Sequence, residues 1–514
     1  MTSASSLLRS VLIYSICLPL AVFLGYLMAE PLTTTTFATV GFVLFFLMIP
    51  LFLRWHHIWL IASWNLGAVL FFLPGRPAPW LAMSAVSLLI AVIQYILNRR
   101  LKFLHAPQVA RPLIFLAVVV LVTMKCTGGF NLGIFGSDLQ GGKNYILVLG
   151  AIIGYFALTS QVISPKRAGL CVALYFLGSL ANAMGELAPV IAPSFYFIFL
   201  LFPVSTEGFA AIMNDPGASS GGMARLGGLA VASTGIFCAM LGRYGIREMF
   251  SLRRMGQLAI FAFFIIISMF GGFRSMLMLL LLTFGILFYL EGLMRSHLLP
   301  MFILLMGFGG AMLVPLADRL PLSMQRTLSF LPIEVNPIVR MSADTSTEWR
   351  LKMWHEVLPQ IPHYLILGKG YSFDYRDVEL IKAAHGDSIQ GAEVAGNYHN
   401  GPLTLILPLG IFGVMGFLWF VVASIRVMHQ NYQYGPAEYR RLNRLLLSYF
   451  IAKVIFFFCI FGSFHTDLVS FTGLIGLSIS LNGGVARRAT APQPKLRLHG
   501  FRLPPATRRA IGAL

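Results

Sequence analysis

Residues 398–424 read YHNGPLTLILPLGIFGVMGFLWFVVAS, a short polar lead followed by an apolar run that no charge interrupts. The run is long enough to cross a bilayer core as a helix, which takes about 20 apolar residues. Its start carries the signals of a helix N-terminus, since Asn400 suits the cap and Pro402 the first turn. Before it lies the one long polar stretch of the chain, Asp318–Gly401, with 10 of the 19 acidic residues and 8 of the 38 lysines and arginines. Elsewhere apolar runs are joined by short, mostly basic connectors. Each run is expected to be a helix, because backbone groups in hydrocarbon must pair within their own segment.

Composition points the same way. Hydrophobic residues make up 57% of the chain, charged residues 11%, and the mean hydropathy is +0.78, whereas soluble domains carry about a quarter charged residues. Runs at 11–29, 37–53, 58–73, 80–97, 112–125, 145–163, 168–186, 227–242, 257–271, 274–292, 298–316, 402–424, 445–462 and 467–482 give 14 candidate spans. A further apolar run, 191–204, leaves its crossing open. The expected fold is all-α, a polytopic transmembrane helix bundle of about 14 spans with one large, partly helical loop. Its parts are N-terminal helices (1–200), central helices (201–317), the loop (318–401), C-terminal helices (402–482) and a basic tail (483–514). The first run is long and ends in Ala29-Glu30-Pro31, a poor cleavage site, so it reads as a membrane helix and not a removed leader.

The net charge of +19 does not mark a nucleic-acid binder, because the basic residues are spread over separate connectors. Arg99, Arg100, Lys102 and Arg111 share one; Arg243, Arg247, Arg253 and Arg254 a second; Arg426, Arg440, Arg441 and Arg444 a third. The tail after Asn482 adds more. Such connectors are expected on the cytoplasmic side. Counting spans from a cytoplasmic N-terminus puts all of them inside, provided 191–204 does not cross fully. The same count puts the 318–401 loop, the Gly271-Gly272-Phe273-Arg274 turn and the 205–226 loop together on the outer face. Cys17, Cys126, Cys171, Cys238 and Cys459 show no metal or disulfide spacing and read as small buried hydrophobes.

Three arginines thereby face one compartment: Arg225, Arg274 and Arg350. Ionisable residues at a membrane edge are functional candidates, although an interfacial arginine can also snorkel to lipid phosphate. Within the loop, Thr345-Ser346-Thr347-Glu348 reads as a capping box. It opens a helix from Trp349 that ends before Pro359. Arg350 and Trp354, four apart, share a face of that helix. A guanidinium beside an indole suits a sugar phosphate, or equally a structural cation–π pair. Leu367-Gly368-Lys369-Gly370-Tyr371 is a tight glycine turn without the βαβ surroundings of a nucleotide site. His399, held at the surface by the following helix start, suits a general base. It equally suits an interfacial histidine bonded to a carbonyl. His355, His363, His385 and His465 compete with it on spacing alone.

The order Gly272-Phe273-Arg274-Ser275 on an outer hairpin, Arg350…Trp354, Gly368-Lys369-Gly370, then His399-Asn400 at the start of an apolar helix resembles the O-antigen ligase and polymerase superfamily of membrane glycosyltransferases. Arg225-Leu226-Gly227-Gly228 fits more loosely, and the likeness runs from Arg225 to Leu481. Two features depart from the family pattern: Phe273-Arg274 stands where Ser-Arg is usual, and two extra N-terminal spans precede the shared part.

The resemblance implies transfer of a glycan from undecaprenyl diphosphate to an acceptor hydroxyl at the periplasmic face of a bacterial inner membrane. It implies neither a cofactor nor a metal. Arg274 and Arg350, and more loosely Arg225, would offset the diphosphate charge, with Trp354 at the sugar. His399 would be the catalytic base and Asn400 would orient it or cap the helix. Partners would be the undecaprenyl-diphosphate-linked glycan, a lipid or sugar acceptor, the membrane and other polysaccharide-assembly proteins, not nucleic acid. Ligase and polymerase differ only in acceptor, and a count of 14 spans leans toward polymerase or exopolysaccharide assembly. A transporter or flippase of lipid-linked precursors is the alternative; it calls for mid-span charges and broken helices around a central site, and Lys453 is the clearest such charge. A scaffold with a degenerate site is a third reading.

Overall fold

The computed structural model describes residues 14–15, 17–23, 25, 34–73, 75–98, 103–127, 140–191, 198–204, 225–371, 389–394 and 396–488. Every regular element among them is helical. Those of seven residues or more are, in chain order, α1 (Thr34–Ser63), α2 (Pro79–Leu97), α3 (Pro107–Thr127), α4 (Gln140–Leu158), α5 (Pro165–Leu177) and α6 (Ala181–Ile191). Then come α7 (Gly227–Met249), α8 (Met255–Ser268), α9 (Arg274–Leu290) and α10 (Leu298–Leu313). The polar loop contributes α11 (Leu322–Leu328) and α12 (Pro337–Val357), and the chain closes with α13 (Gly401–Tyr434), α14 (Arg440–Cys459) and α15 (Phe464–Asn482).

Among the described residues, 10 helices are long and apolar enough to cross a membrane, and Gly142–Leu158 and Arg274–Leu290 are shorter apolar helices. At about 1.5 Å per residue the two short ones reach roughly 25 Å, close to the ~30 Å hydrocarbon core. The protein is an all-helical membrane protein. Its core lies where α13, α14 and α15 meet α4, around Phe417, Phe450, Phe457, Phe464 and Phe471. The ring centroids of Phe417 and Phe457 are 5.1 Å apart, and those of Phe450 and Phe471 5.3 Å.

At one end of the bundle, Thr127 of α3 and Tyr145 of α4 meet at 3.2 Å, and the Tyr145 hydroxyl accepts the Tyr371 amide at 2.9 Å. At the opposite end the Leu104 amide donates to Thr159 and the Ile163 amide to Ser480. There two of the basic connectors touch: Arg441 donates to the Glu248 carboxylate and to the Arg243 carbonyl. The end that carries Tyr145, Arg274 and His399 is called the loop face below, the other the connector face.

Several expectations change. Runs 37–53 and 58–73 are not two spans: α1 passes through Arg54-Trp55-His56-His57 without a break. The two histidines read as a polar connector but are buried with partners. His56 Nδ1 lies 2.7 Å from Ser87 Oγ, and His57 Nε2 lies 2.8 Å from the Leu158 carbonyl. The chain leaves the helix only after Ser63. The described part of run 191–204 holds one four-residue helix, Ile198–Leu201. On either side of it, Glu186 accepts the Gly228 and Leu229 amides, each at 2.9 Å, so there is no net crossing between them. Cys171 and Cys238 are buried as expected, but Cys17, Cys126 and Cys459 are exposed on the bundle surface. Parts of run 11–29, Arg99, Arg100 and Lys102, His385, most of the 205–226 loop and most of the tail lie outside the described residues.

Helix α13 is interrupted. Gly410 takes φ 63° and ψ −164° inside it, two residues after Pro408, a conformation that side-chain-bearing residues avoid. The groups released by the break are taken up by the polar loop. The Lys369 and Gly370 amides donate to the Leu407 and Pro408 carbonyls at 2.7 and 3.0 Å, and the Ile411 amide donates to Leu365 at 2.7 Å. The glycine turn at 368–370 is thus a docking strap, and it pins the loop to the membrane helices.

Candidate active site

The loop helix α12 builds one wall of the site. It starts earlier than the capping box implies: Asn336 is the N-cap, with Oδ1 accepting the Ile338 amide at 2.9 Å. Thr345 and Thr347 sit mid-helix and return their hydroxyls to Met341 and Ala343. The longer helix exposes a stripe, Ile338, Met341, Ser342, Thr345, Ser346, Trp349 and Arg350, at the i, i+3, i+4 spacing of one helical face. All seven line a cavity of about 1060 Å³ at the loop face. The opposite walls come from α7, α9, α14 and the His399 segment, through Arg225, Phe273, Met276, Lys453, Phe461 and His399.

His399 is held in an unusual conformation. Its φ is +49°, the left-handed region, which is strained for a residue with a side chain by an amount on the order of 1 kcal/mol. Its neighbours fix it there. Trp354 Nε1 donates to the Tyr398 carbonyl at 3.0 Å, and Asn400 Oδ1 accepts the Leu403 amide at 3.1 Å, capping α13. Gly401 lies so close to α14 that a Cβ would stand 2.3 Å from the Phe457 carbonyl. The imidazole sits between Trp349 and Phe461, each 5.2 Å away between centroids. Its Nδ1 is buried and has no hydrogen-bond partner among the described residues. Burial, helped by the nearby Arg350 charge, pulls its pKa down to about 4. At neutral pH the ring is uncharged and able to accept a proton.

The cations gather beside it. Arg350 packs over the Phe461 ring at 5.8 Å, and its pKa is lowered by burial and by the like charges of Arg274 and Arg225. Arg225 stacks on Phe273 at 4.4 Å. Arg274 lies outside the cavity lining and reaches the α12 carbonyl of Ala343 and the Thr347 hydroxyl, both at 3.4 Å. At the inner end, Lys453 Nζ and Asp467 Oδ1 form a buried pair at 2.7 Å. Collecting like charges in a partly buried cleft is unfavourable without an anion to share.

Arg225, Arg350 and His399 are brought to one cavity, with Arg274 at its edge. Trp354 is not. It packs with Met353, Val357, Tyr398 and Leu403 beneath the His399 segment, and its indole N–H is spent on the Tyr398 carbonyl. The indole that faces the cavity is Trp349. Asn400 is a cap, the second of its two expected roles. Arg326 escaped notice altogether: it is buried in the lining, and its Nη1 donates to the Gly272 carbonyl at 3.2 Å. Only the fold brings the short helix α11 onto the α8–α9 hairpin. Among the competing histidines, His355 and His363 are exposed away from the cavity, and His465 lies against Tyr371 and Ser463.

The fold and the site define a polytopic helical membrane protein with a cationic, histidine-bearing cavity at one membrane face. Residues 249–418 match the model of the O-antigen ligase family, so this part of the chain is similar to that family. The match contains Arg274, Arg326, Arg350 and His399, while Arg225 precedes it. No curated protein matches the chain. The protein is thus a helical membrane protein whose residues 249–418 are similar to O-antigen ligases.

Proposed function

We propose that the cavity transfers a glycan from undecaprenyl diphosphate to an acceptor hydroxyl at the periplasmic face of the bacterial inner membrane. The observation that carries this reading is His399 in the lining of a cavity that also holds Arg225, Arg326 and Arg350, with Arg274 beside them; its buried Nδ1 has no hydrogen-bond partner among the described residues. The neutral imidazole takes the proton of the acceptor hydroxyl as its oxygen attacks the anomeric carbon of the donor sugar. The bond from that carbon to the phosphate oxygen breaks, and undecaprenyl diphosphate leaves with both bonding electrons. Guanidinium groups offset the charge that grows on it. A bound diphosphate also screens Arg350 from His399, which moves the base upward from about 4 and strengthens it when the donor is in place. Exposed Val231, Ile338 and Met341 on the lining give an apolar edge for the isoprenoid.

The flippase alternative is less favoured. It calls for broken helices around a central site, but the break in α13 is filled by the loop strap and lines no part of the cavity. The span count no longer favours polymerase over ligase, since two of the expected spans are one helix. Mass spectrometry of carrier-linked glycan in a strain lacking the gene tests the reading. Single repeat units piling up on the carrier mean polymerase, long assembled chains mean ligase, and an unchanged pool removes both.

A further inference from the structure

The cavity is chemically divided. Its outer part holds the guanidinium groups and His399. Lys453 lies six residues from the loop-face end of α14 and Asp467 three residues into α15, so at about 1.5 Å per residue the pair sits roughly 5–9 Å below that face. The pair is 13% and 10% exposed, and the remaining Asp467 oxygen accepts the Ser463 amide at 2.9 Å. Lys453, Thr466 and Asp467 all line the cavity. A second chamber of about 450 Å³ lies beyond Lys453 and Phe456, which line both. An ion pair within a membrane bundle is expensive and is weak support for stability, because well-packed apolar residues do as well. Its place on a cavity wall calls for a ligand-directed role.

A lipid-diphosphate-linked glycan has three chemically distinct parts. The diphosphate belongs with the arginines. The isoprenoid belongs on an apolar edge, and would be badly placed against a desolvated ammonium and carboxylate. What matches a neutral pair of one donor and one acceptor is a polyol, whose adjacent hydroxyls can donate to Asp467 and accept from Lys453 together. We infer that the Lys453–Asp467 pair, with the Thr466 hydroxyl beside it, reads the hydroxyls of the sugar attached to the diphosphate and so sets which glycan the enzyme accepts. This rests on the reading of the cavity as the seat of that donor.

The test measures binding of two ligands by full-length protein in detergent: undecaprenyl diphosphate, and the same carrier bearing its glycan. Lys453→Met/Asp467→Leu is expected to keep the wild-type melting temperature and its affinity for the bare carrier. Its affinity for the glycan-bearing carrier should fall about tenfold to a hundredfold, the range for losing charge-assisted hydrogen bonds. Equal affinity of variant and wild type for the glycan-bearing carrier overturns the inference. If that variant does not fold, Lys453→Gln/Asp467→Asn keeps the contact between α14 and α15 without the charges. A selective loss of glycan affinity is then expected, and its absence is again fatal. Arg350→Gln, run on the same ligands, tells the two readings apart. Weakened binding of both carriers is expected from a diphosphate site, and unchanged binding of both removes that reading and the inference with it.

Discussion

The two ends of the bundle treat buried polar groups differently. At the connector face the polar side chains that join helices are matched, although Gln257 Oε1 and Arg444 Nε have no partner among the described residues. His56 meets Ser87 and Gln161, and Asn443 and Asn482 exchange amide hydrogen bonds at 3.0 and 2.9 Å. Asn431 Nδ2 donates to Ser478 Oγ at 3.1 Å, and its Oδ1 accepts the Ala486 amide. At the loop face, His399 is strained and has a buried nitrogen without a partner, next to a crowd of arginines. A matched network ties helices together; an unmatched buried group is a standing cost that persists where a ligand completes it. Polar residues inside a membrane protein therefore do not all mark chemistry. What sets His399 apart is the combination of a strained backbone, an unpartnered buried nitrogen and a cavity beside it.

The sharpest challenge to that contrast is His399→Ala. Glycan transfer measured in proteoliposomes with a lipid-diphosphate donor is expected to fall by about 10²–10⁴, the usual contribution of a general base. The melting temperature should hold or rise, since strain is released. Transfer at the wild-type rate would place the base elsewhere.

Arg350→Gln comes next, with a loss of about 10²–10³ in rate from removing one charge-stabilising donor. It also carries a pH signature. Arg350 helps to hold His399 down at about 4, so its removal raises that pKa toward the ordinary value of about 6.5. A reaction that needs the neutral ring runs above the pKa and fails below it. The acid limb of the pH–rate profile should therefore move to higher pH, and a stationary limb would uncouple the two residues.

His56→Ala probes the other end. It leaves Ser87 without its partner, while Gln161 keeps Gln94, and is expected to lower stability by about 1–3 kcal/mol, the penalty for a stranded buried group. Thermal unfolding in detergent reads this, and transfer per folded molecule should be unchanged. A selective loss of activity would mean that the connector-face network is more than scaffold. The smallest effect is expected from Asn400→Ala, about 1 kcal/mol from a lost N-cap. A modest drop in transfer should accompany it as the His399 segment loosens.

Much of this could be read from the chain. Long apolar runs and basic connectors announced a helical membrane bundle, and the positions of Arg225, Arg274, Arg350 and His399 on one side followed from counting runs. The errors came where charge and burial part company. His56 and His57 looked like a connector because nothing in a linear string shows Ser87 or Leu158 waiting for them. Trp354 is singled out in the sequence because it shares a face with Arg350, whereas Trp349, the indole that lines the cavity, reads there only as the start of a helix. The helix in fact starts at Pro337, and its cavity stripe, visible once that start is known, ends at Arg350. Beyond that point the His399 segment lies across the helix and takes Trp354 for its own support.

By itself the sequence determined the solvent of each segment, because hydrophobicity and helix signals act over a few neighbouring residues. It also determined the inventory of charges and the order in which they meet the membrane. Only the tertiary structure decided which of those charges share a cavity, that Arg326 and the Lys453–Asp467 pair join it, and that the glycine turn is a strap on a broken helix. Those outcomes depend on contacts between residues tens to hundreds of positions apart, and on whether each buried group finds a partner. Neither quantity exists until the helices have packed.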